Sequence, residues 1–122
     1  MKLLAAILPI VFSAAAHATI CEPARQIKFE MNFVSSNIAN VITTRTPEGG
    51  PYKPFTRVYS GSSYEYVQLP LSIDKYEPGH PDANADGYVA YPDINVRAQI
   101  EDMCELAKKY EAAIEMCNQR SP

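Results

Sequence analysis

Pro23-Ala24-Arg25-Gln26-Ile27-Lys28-Phe29-Glu30-Met31-Asn32-Phe33-Val34-Ser35-Ser36-Asn37-Ile38-Ala39-Asn40-Val41 decides the fold. Ala24, Ile27, Met31, Val34, Ile38 and Val41 recur at alternating steps of three and four, which lines one face of an α-helix. Pro23 suits the first turn of such a helix, where its missing N–H is not needed. A single apolar stripe is buried only against another element, and the matching stripe stands at the far end of the chain. There Val96, Ile100, Met103, Ala107, Tyr110, Ile114 and Cys117 alternate steps of four and three, behind Asp93 or Asn95, either of which can cap a helix start. The predicted fold is therefore mainly α with a small β-rich insert. Its N- and C-terminal helices form an antiparallel two-helix coiled coil, and the insert replaces the turn between them.

The insert announces itself by its turn chemistry. Seven of the ten prolines lie between Pro47 and Pro92, a region of turns and edges rather than helix. Thr46-Pro47-Glu48-Gly49-Gly50-Pro51-Tyr52 reads as a turn. Residues 55–59 and 64–69 alternate apolar and polar as short strands, with Ser60-Gly61-Ser62-Ser63 closing them into a hairpin. Pro70 interrupts, and residues 71–76 read as a third, edge strand. The boundaries expected are 19–45 for the first helical segment, 46–92 for the insert and 93–122 for the second helix.

Residues 1–18 read as a secretory signal peptide: Lys2 gives a short positive start, residues 3–12 an apolar run, and Ala16-His17-Ala18 an A-x-A cleavage site, so the mature chain is expected to start at Thr19. The run is shorter than the ~20 residues that span a bilayer, and no membrane insertion is expected after cleavage. The chain carries 11 Lys and Arg against 14 Asp and Glu, a net −3 that becomes −4 without Lys2. This mild acidity gives no electrostatic ground for nucleic-acid binding. About a hundred mature residues allow one domain with a small core.

Several blocks carry a resemblance: Met31-Asn32, Ser36-Asn37-Ile38-Ala39-Asn40, Thr43-Thr44-Arg45-Thr46, Gly49-Gly50-Pro51-Tyr52 with Lys53, and the long run from Tyr76 through His80-Pro81 and Gly87-Tyr88-Val89 to Val96. Together with Met103, Tyr110 and Ala112-Ala113-Ile114-Glu115 near the end, they resemble the bacterial flagellar basal-body rod proteins, most closely the proximal-rod type. The resemblance covers over half of the mature chain. It implies a structural subunit without catalysis or cofactor, found in the periplasm as part of the basal body. Its paired helices would pack beside those of other rod proteins in a helical homo- or hetero-assembly that serves motility. Asn37, Ile38, Asn40, Met103 and Tyr110 are the residues it implies at subunit interfaces. A bare core reading leaves the Asn-Ile-Ala-Asn end of the first helix unexplained; its amides either cap the helix or bond to a neighbour's backbone.

The chain departs from that pattern at Asp93 and Ala113, where the family carries Asn, in a short stretch before Met31, and in a shortened segment between Tyr59 and Tyr76. Rod proteins of this kind leave through the flagellum's own channel without a cleaved leader. A Sec-exported periplasmic accessory relative, binding the rod or another envelope assembly without polymerising, is thus the alternative.

Three further constellations bear on chemistry. Asp82, Asn84, Asp86 and Asp93 fit the spacing of a calcium loop with Gly87 at its turn, but Pro81 and Pro92 stand where an EF-hand has helices, and a solvated Asx-turn accounts for the same residues. The cysteines are Cys21, Cys104 and Cys117. Cys104 and Cys117, about 20 Å apart along a straight helix, exceed the ~7 Å Cα limit of a disulfide. An antiparallel hairpin sets Cys21 beside Cys117 as the natural pair and leaves Cys104 as a buried thiol, against the reading of all three as small apolar residues. After cleavage His80 is the sole histidine, held in a Gly-His-Pro turn with no nucleophile or metal spacing around it. Tyr59, Tyr64 and Tyr66 are expected to pack their strands onto the helices.

Overall fold

The computed structural model describes residues 10–120, with side chains from Cys21 onward. The expected leader lies outside the described residues up to position 9, and only the helical backbone of its remainder is described. The order is α1 (Ile10–Ala39), β1 (Phe55–Ser60), β2 (Ser63–Gln68), β3 (Ser72–Tyr76), β4 (Tyr88–Pro92) and α2 (Val96–Gln119). Pro23 sits inside α1 rather than at its start. The Ala14-Ala15-Ala16 run just before it is strongly helix-forming and continues the helix N-terminally past the missing donor.

α1 packs against α2 in opposite directions: Cys21 meets Cys117 at one end, with Cα atoms 5.3 Å apart, and Asn37 meets Gln99 at the other. Ala24 and Val34 of α1 and Leu106 and Cys117 of α2 are buried. The inward stripe of α2 departs from the expected one. Met103, Tyr110 and Cys117 keep their places, but Leu106 is buried in preference to Ala107, and Ile100 stays 49% exposed. On α1 the same slip occurs, with Asn37 buried and Ile38 only half-buried. The physical reason is shared: Asn37 donates to Gln99, so this polar pair occupies positions where the apolar count placed Ile38 and Ile100.

α2 begins where Asn95 accepts from the Ala98 N–H. The first hairpin is antiparallel, with Ser60 opposite Ser63 and Gly61, at φ +65°, in the turn. A left-handed residue at this place matches the strands' own twist. The third strand does not extend that hairpin. β3 instead pairs with β4, Ser72 opposite Pro92 and Tyr76 opposite Tyr88, in a second two-stranded sheet. β4 escaped the sequence reading, although Tyr-Val-Ala-Tyr-Pro between Asp-Gly and Pro-Asp carries a strand signal. Its Val89 is fully buried.

Candidate functional site

The polar centre of the molecule is the Asn37 side chain, 2% exposed, where α1, the insert and α2 meet. Its Oδ1 accepts from the Phe55 N–H at 2.8 Å and the Tyr52 hydroxyl at 2.9 Å. Its Nδ2 donates to the Phe55 carbonyl at 2.9 Å and to Gln99 Oε1 at 3.0 Å. An amide that both accepts from and donates to one backbone residue replaces a strand neighbour: Asn37 completes the outer edge of β1 at Phe55. The Phe55 N–H fixes which end of the amide is oxygen, so every bond of the group is accounted for. The Tyr52 oxygen in turn accepts from the Ser36 hydroxyl, and its own pKa is raised by burial, against the lowering effect of that bond.

Within the chain Asn37, expected at a subunit interface, thus forms a buried junction between α1, the insert and α2. Asn40, half-buried, returns its Nδ2 to the Ser36 carbonyl and accepts from Thr43, closing the end of α1. Ile38, Met103 and Tyr110 are half-buried.

A second junction ties the turn after α1 to the loop before β4. Asp82 accepts from the Thr44 hydroxyl at 2.7 Å and from Arg45 Nε at 2.8 Å, and Arg45 Nη2 also contacts it. The Thr44 and Arg45 bonds hold the Asp82 carboxyl below its ordinary value. Two of the candidate calcium ligands thus have other partners here. Asp82 is turned toward Arg45, while Asn84 Oδ1 accepts from the Asp86 and Tyr88 N–H groups of its own turn. Among the described residues no group of three or more His, Cys, Asp or Glu is gathered to hold a metal. His80 is occupied locally, its Nδ1 accepting from the Asp82 N–H.

Phe55 and Tyr66 stack on Phe33 of α1 with centroids 4.6 and 5.0 Å away, and Tyr64 donates to Glu30. Arg57 lies over the Tyr64 and Tyr66 rings and donates to the Tyr66 hydroxyl. Burial opposes its charge, but Tyr66, Tyr59 and Asp102 outweigh it and raise the guanidinium pKa. Beside Arg57, Asp102 and Gln99 a cleft of about 300 Å³ opens between the helices and the first hairpin. Cys104 is exposed, not buried as expected, because the inward stripe passes through Met103 and Leu106 on either side of it.

Outside these junctions, large apolar side chains remain exposed: Phe29 and Ile42 around α1, and Ile100 and Met116 on α2. Among the described residues no helix is long and apolar enough to cross a membrane.

No family model matches the chain. It is 32% identical to the flagellar basal-body rod protein FlgC of Borreliella burgdorferi over 70% of its own length and 75% of that protein's. It is 30% identical to FlgC of Salmonella typhimurium over 72% and 75%, and 32% identical to FlgC of Agrobacterium fabrum over 73% of each. The blocks joined by these junctions, Ser-Asn-Ile-Ala-Asn to Tyr52 and Thr-Thr-Arg-Thr to Asp82, are those that first suggested the resemblance, and the chain belongs to the FlgC family of flagellar basal-body rod proteins.

Proposed function

We propose that the protein is a structural subunit of the proximal rod, with no catalytic role, whose paired terminal helices form a coiled coil and pack against those of other rod proteins. The observation that carries this reading is the apolar surface left after the helices have paired. Phe29 and Met116 are each 58% exposed and Ile100 49%, on helices whose inner faces are already used. A monomer has no use for such side chains on both helices, whereas a subunit buries them against its neighbours. Rod contacts of this kind are heterologous and wind into a helix.

We further propose export by the Sec route, cleavage after Ala18 and residence in the periplasm around the basal body. The Cys21–Cys117 bond supports an oxidising compartment. In the cleaved chain Pro23 falls close to the helix start, where it removes no needed bond. This export route also favours the second reading, an accessory relative that binds the rod without polymerising, because it separates the chain from the flagellum's own channel.

Recovery of a tagged copy in purified basal bodies decides between them: the subunit reading requires it there, in fixed proportion to other rod proteins. Mass spectrometry of the same material should find Thr19 at the N-terminus. An intact Met1 would overturn the Sec route.

A further inference from the structure

Each hairpin has one edge met at a single residue by an asparagine and one edge left open along its length. In an antiparallel ladder, alternate residues direct both backbone groups at the partner strand or away from it. The Leu69 N–H donates to the Pro54 carbonyl, so Tyr64, Tyr66 and Gln68 of β2, and Phe55, Arg57 and Tyr59 of β1, direct theirs outward. Likewise Asp93 N–H to Leu71 and Glu77 N–H to Gly87 fix Ser72, Asp74 and Tyr76 of β3 as outward. The β1 edge is met at Phe55 by Asn37. The β4 edge is met at Tyr88 by Asn84, whose Oδ1 accepts the Tyr88 N–H and whose N–H donates to the Tyr88 carbonyl. Among the described residues, β2 and β3 pair with nothing on their outer sides, and all five residues of β3 are exposed.

We infer that the open β3 edge of one copy docks antiparallel on the open β2 edge of a second copy. Only registers that oppose outward residues to outward residues can form bonds. Self-pairing of β3 sets Asp74 against Asp74 or Lys75 against Lys75, which like charge opposes, or Ile73 against Ile73, which gives Lys75 and Asp74 no opposite charge. Pairing β3 with β2 in full overlap sets Ser72 against Gln68, Asp74 against Tyr66 and Tyr76 against Tyr64 as bonded pairs. On the other face it sets Ile73 against Val67 and Lys75 against Glu65. That register matches apolar with apolar and cation with carboxylate; a shift of two either way sets Lys75 against Val67 or Ile73 against Glu65. The β2 and β3 edges are different surfaces, so the contact is head-to-tail and open-ended. It deepens the subunit reading by naming a contact between copies, but its test needs no basal body.

The full chain, with its disulfide formed, is mixed in equal parts with a ¹⁵N-labelled copy, treated with a carbodiimide and digested. A Glu65–Lys75 cross-link containing one labelled and one unlabelled peptide is expected, together with concentration-dependent association in sedimentation. Lys75→Glu and Glu65→Lys should each weaken association by about fivefold, and the double variant should restore it. Asp74→Pro removes an N–H that β4 does not use, so it should abolish association while the circular dichroism spectrum is unchanged. A chain that stays monomeric, associates without the mixed link, or associates equally well with either single charge change overturns the inference. Presence in basal bodies without this link would sink the contact and spare the subunit reading; the link without basal-body recovery would do the reverse.

Discussion

Replacing Asn37 by alanine tests whether the centre of this fold is a hydrogen-bonded junction or a water-tolerant gap. The change removes four bonds: two with the Phe55 backbone, one with Tyr52 and one with Gln99. Tyr52 keeps Ser36 as a partner, and Gln99 is only half-buried and can turn to water. The Phe55 N–H and C=O keep nothing, at a place where the side chain they bonded is 2% exposed. Each buried orphan costs about 1–3 kcal/mol, so the loss should be about 3 kcal/mol, a large part of the ~5–15 kcal/mol that holds a domain together. Urea unfolding of the oxidised protein, followed by circular dichroism, measures it as a lower midpoint at unchanged slope. Asn37→Asp sharpens the argument. It keeps the acceptor for Phe55 N–H but turns a carboxylate toward the Phe55 carbonyl, and burial raises the pKa of that carboxyl above its unfolded value. The protonated acid can donate again, so the variant's deficit should be full at neutral pH and shrink as pH falls through the raised value. A loss below about 1 kcal/mol for Asn37→Ala, or a pH-independent deficit for Asn37→Asp, would refute the reasoning.

Reduction of Cys21–Cys117, or Cys117→Ser, should cost about 2–5 kcal/mol, because the bond closes a loop with a sequence separation of 96; thermal melts with and without reductant read it. The Asp82 carboxyl is lowered in the folded state by Thr44 and Arg45, so its contribution is present above the unfolded value near ~3.9 and is lost as pH falls through the folded one; an NMR titration of Asp82 should show the low value and its return toward ~3.9 in Arg45→Ala. Gly87→Ala should destabilise the second hairpin by more than the ~1 kcal/mol of a left-handed residue, since φ is +89° and a Cβ would stand 2.9 Å from Cε1 of Tyr76 and 3.2 Å from Cβ of Pro78; the melting temperature checks it.

Periodic burial made the helices legible. Ala24, Ile27, Met31 and Val34 lie on the inner or half-buried side of α1, as Met103, Tyr110 and Cys117 do on α2, because a stripe repeats whatever it packs against. Contacts without a period were hidden. Asn37 reaches Phe55, 18 residues on, and Gln99, 62 residues on, and no local pattern marks such pairs. An amide beside an apolar stripe reads as a solvated edge, and the step from Val34 to Asn37 is as good a helical spacing as the step to Ile38. The signal available was polar residues at heptad spacing, Asn37 after Val34 and Gln99 before Met103, which together make a buried polar pair. The pairing of β3 with β4 was hidden for a like reason, since the turns from Glu77 to Gly87 separate a strand read as an addition to the first hairpin from one not read at all.

The two polar and covalent links between the helices have a joint consequence. From Cys21 to Asn37 is about 24 Å of helix, and from Gln99 to Cys117 about 27 Å. The disulfide and the amide pair are thus spaced almost alike on both helices, and each fixes the same alignment at its own end. Apolar stripes alone tolerate a slip by one heptad, since Leu against Val differs little from Met against Val. A buried amide pair does not, because a slip leaves Asn37 and Gln99 without partners in an apolar seam, the device by which a single polar position sets register in paired helices. The covalent link adds that the far ends, at Cys21 and Cys117, cannot part. A hairpin clamped at both ends holds Phe29, Ile100 and Met116 in fixed relation, so that in the proposed assembly little ordering would remain to oppose association.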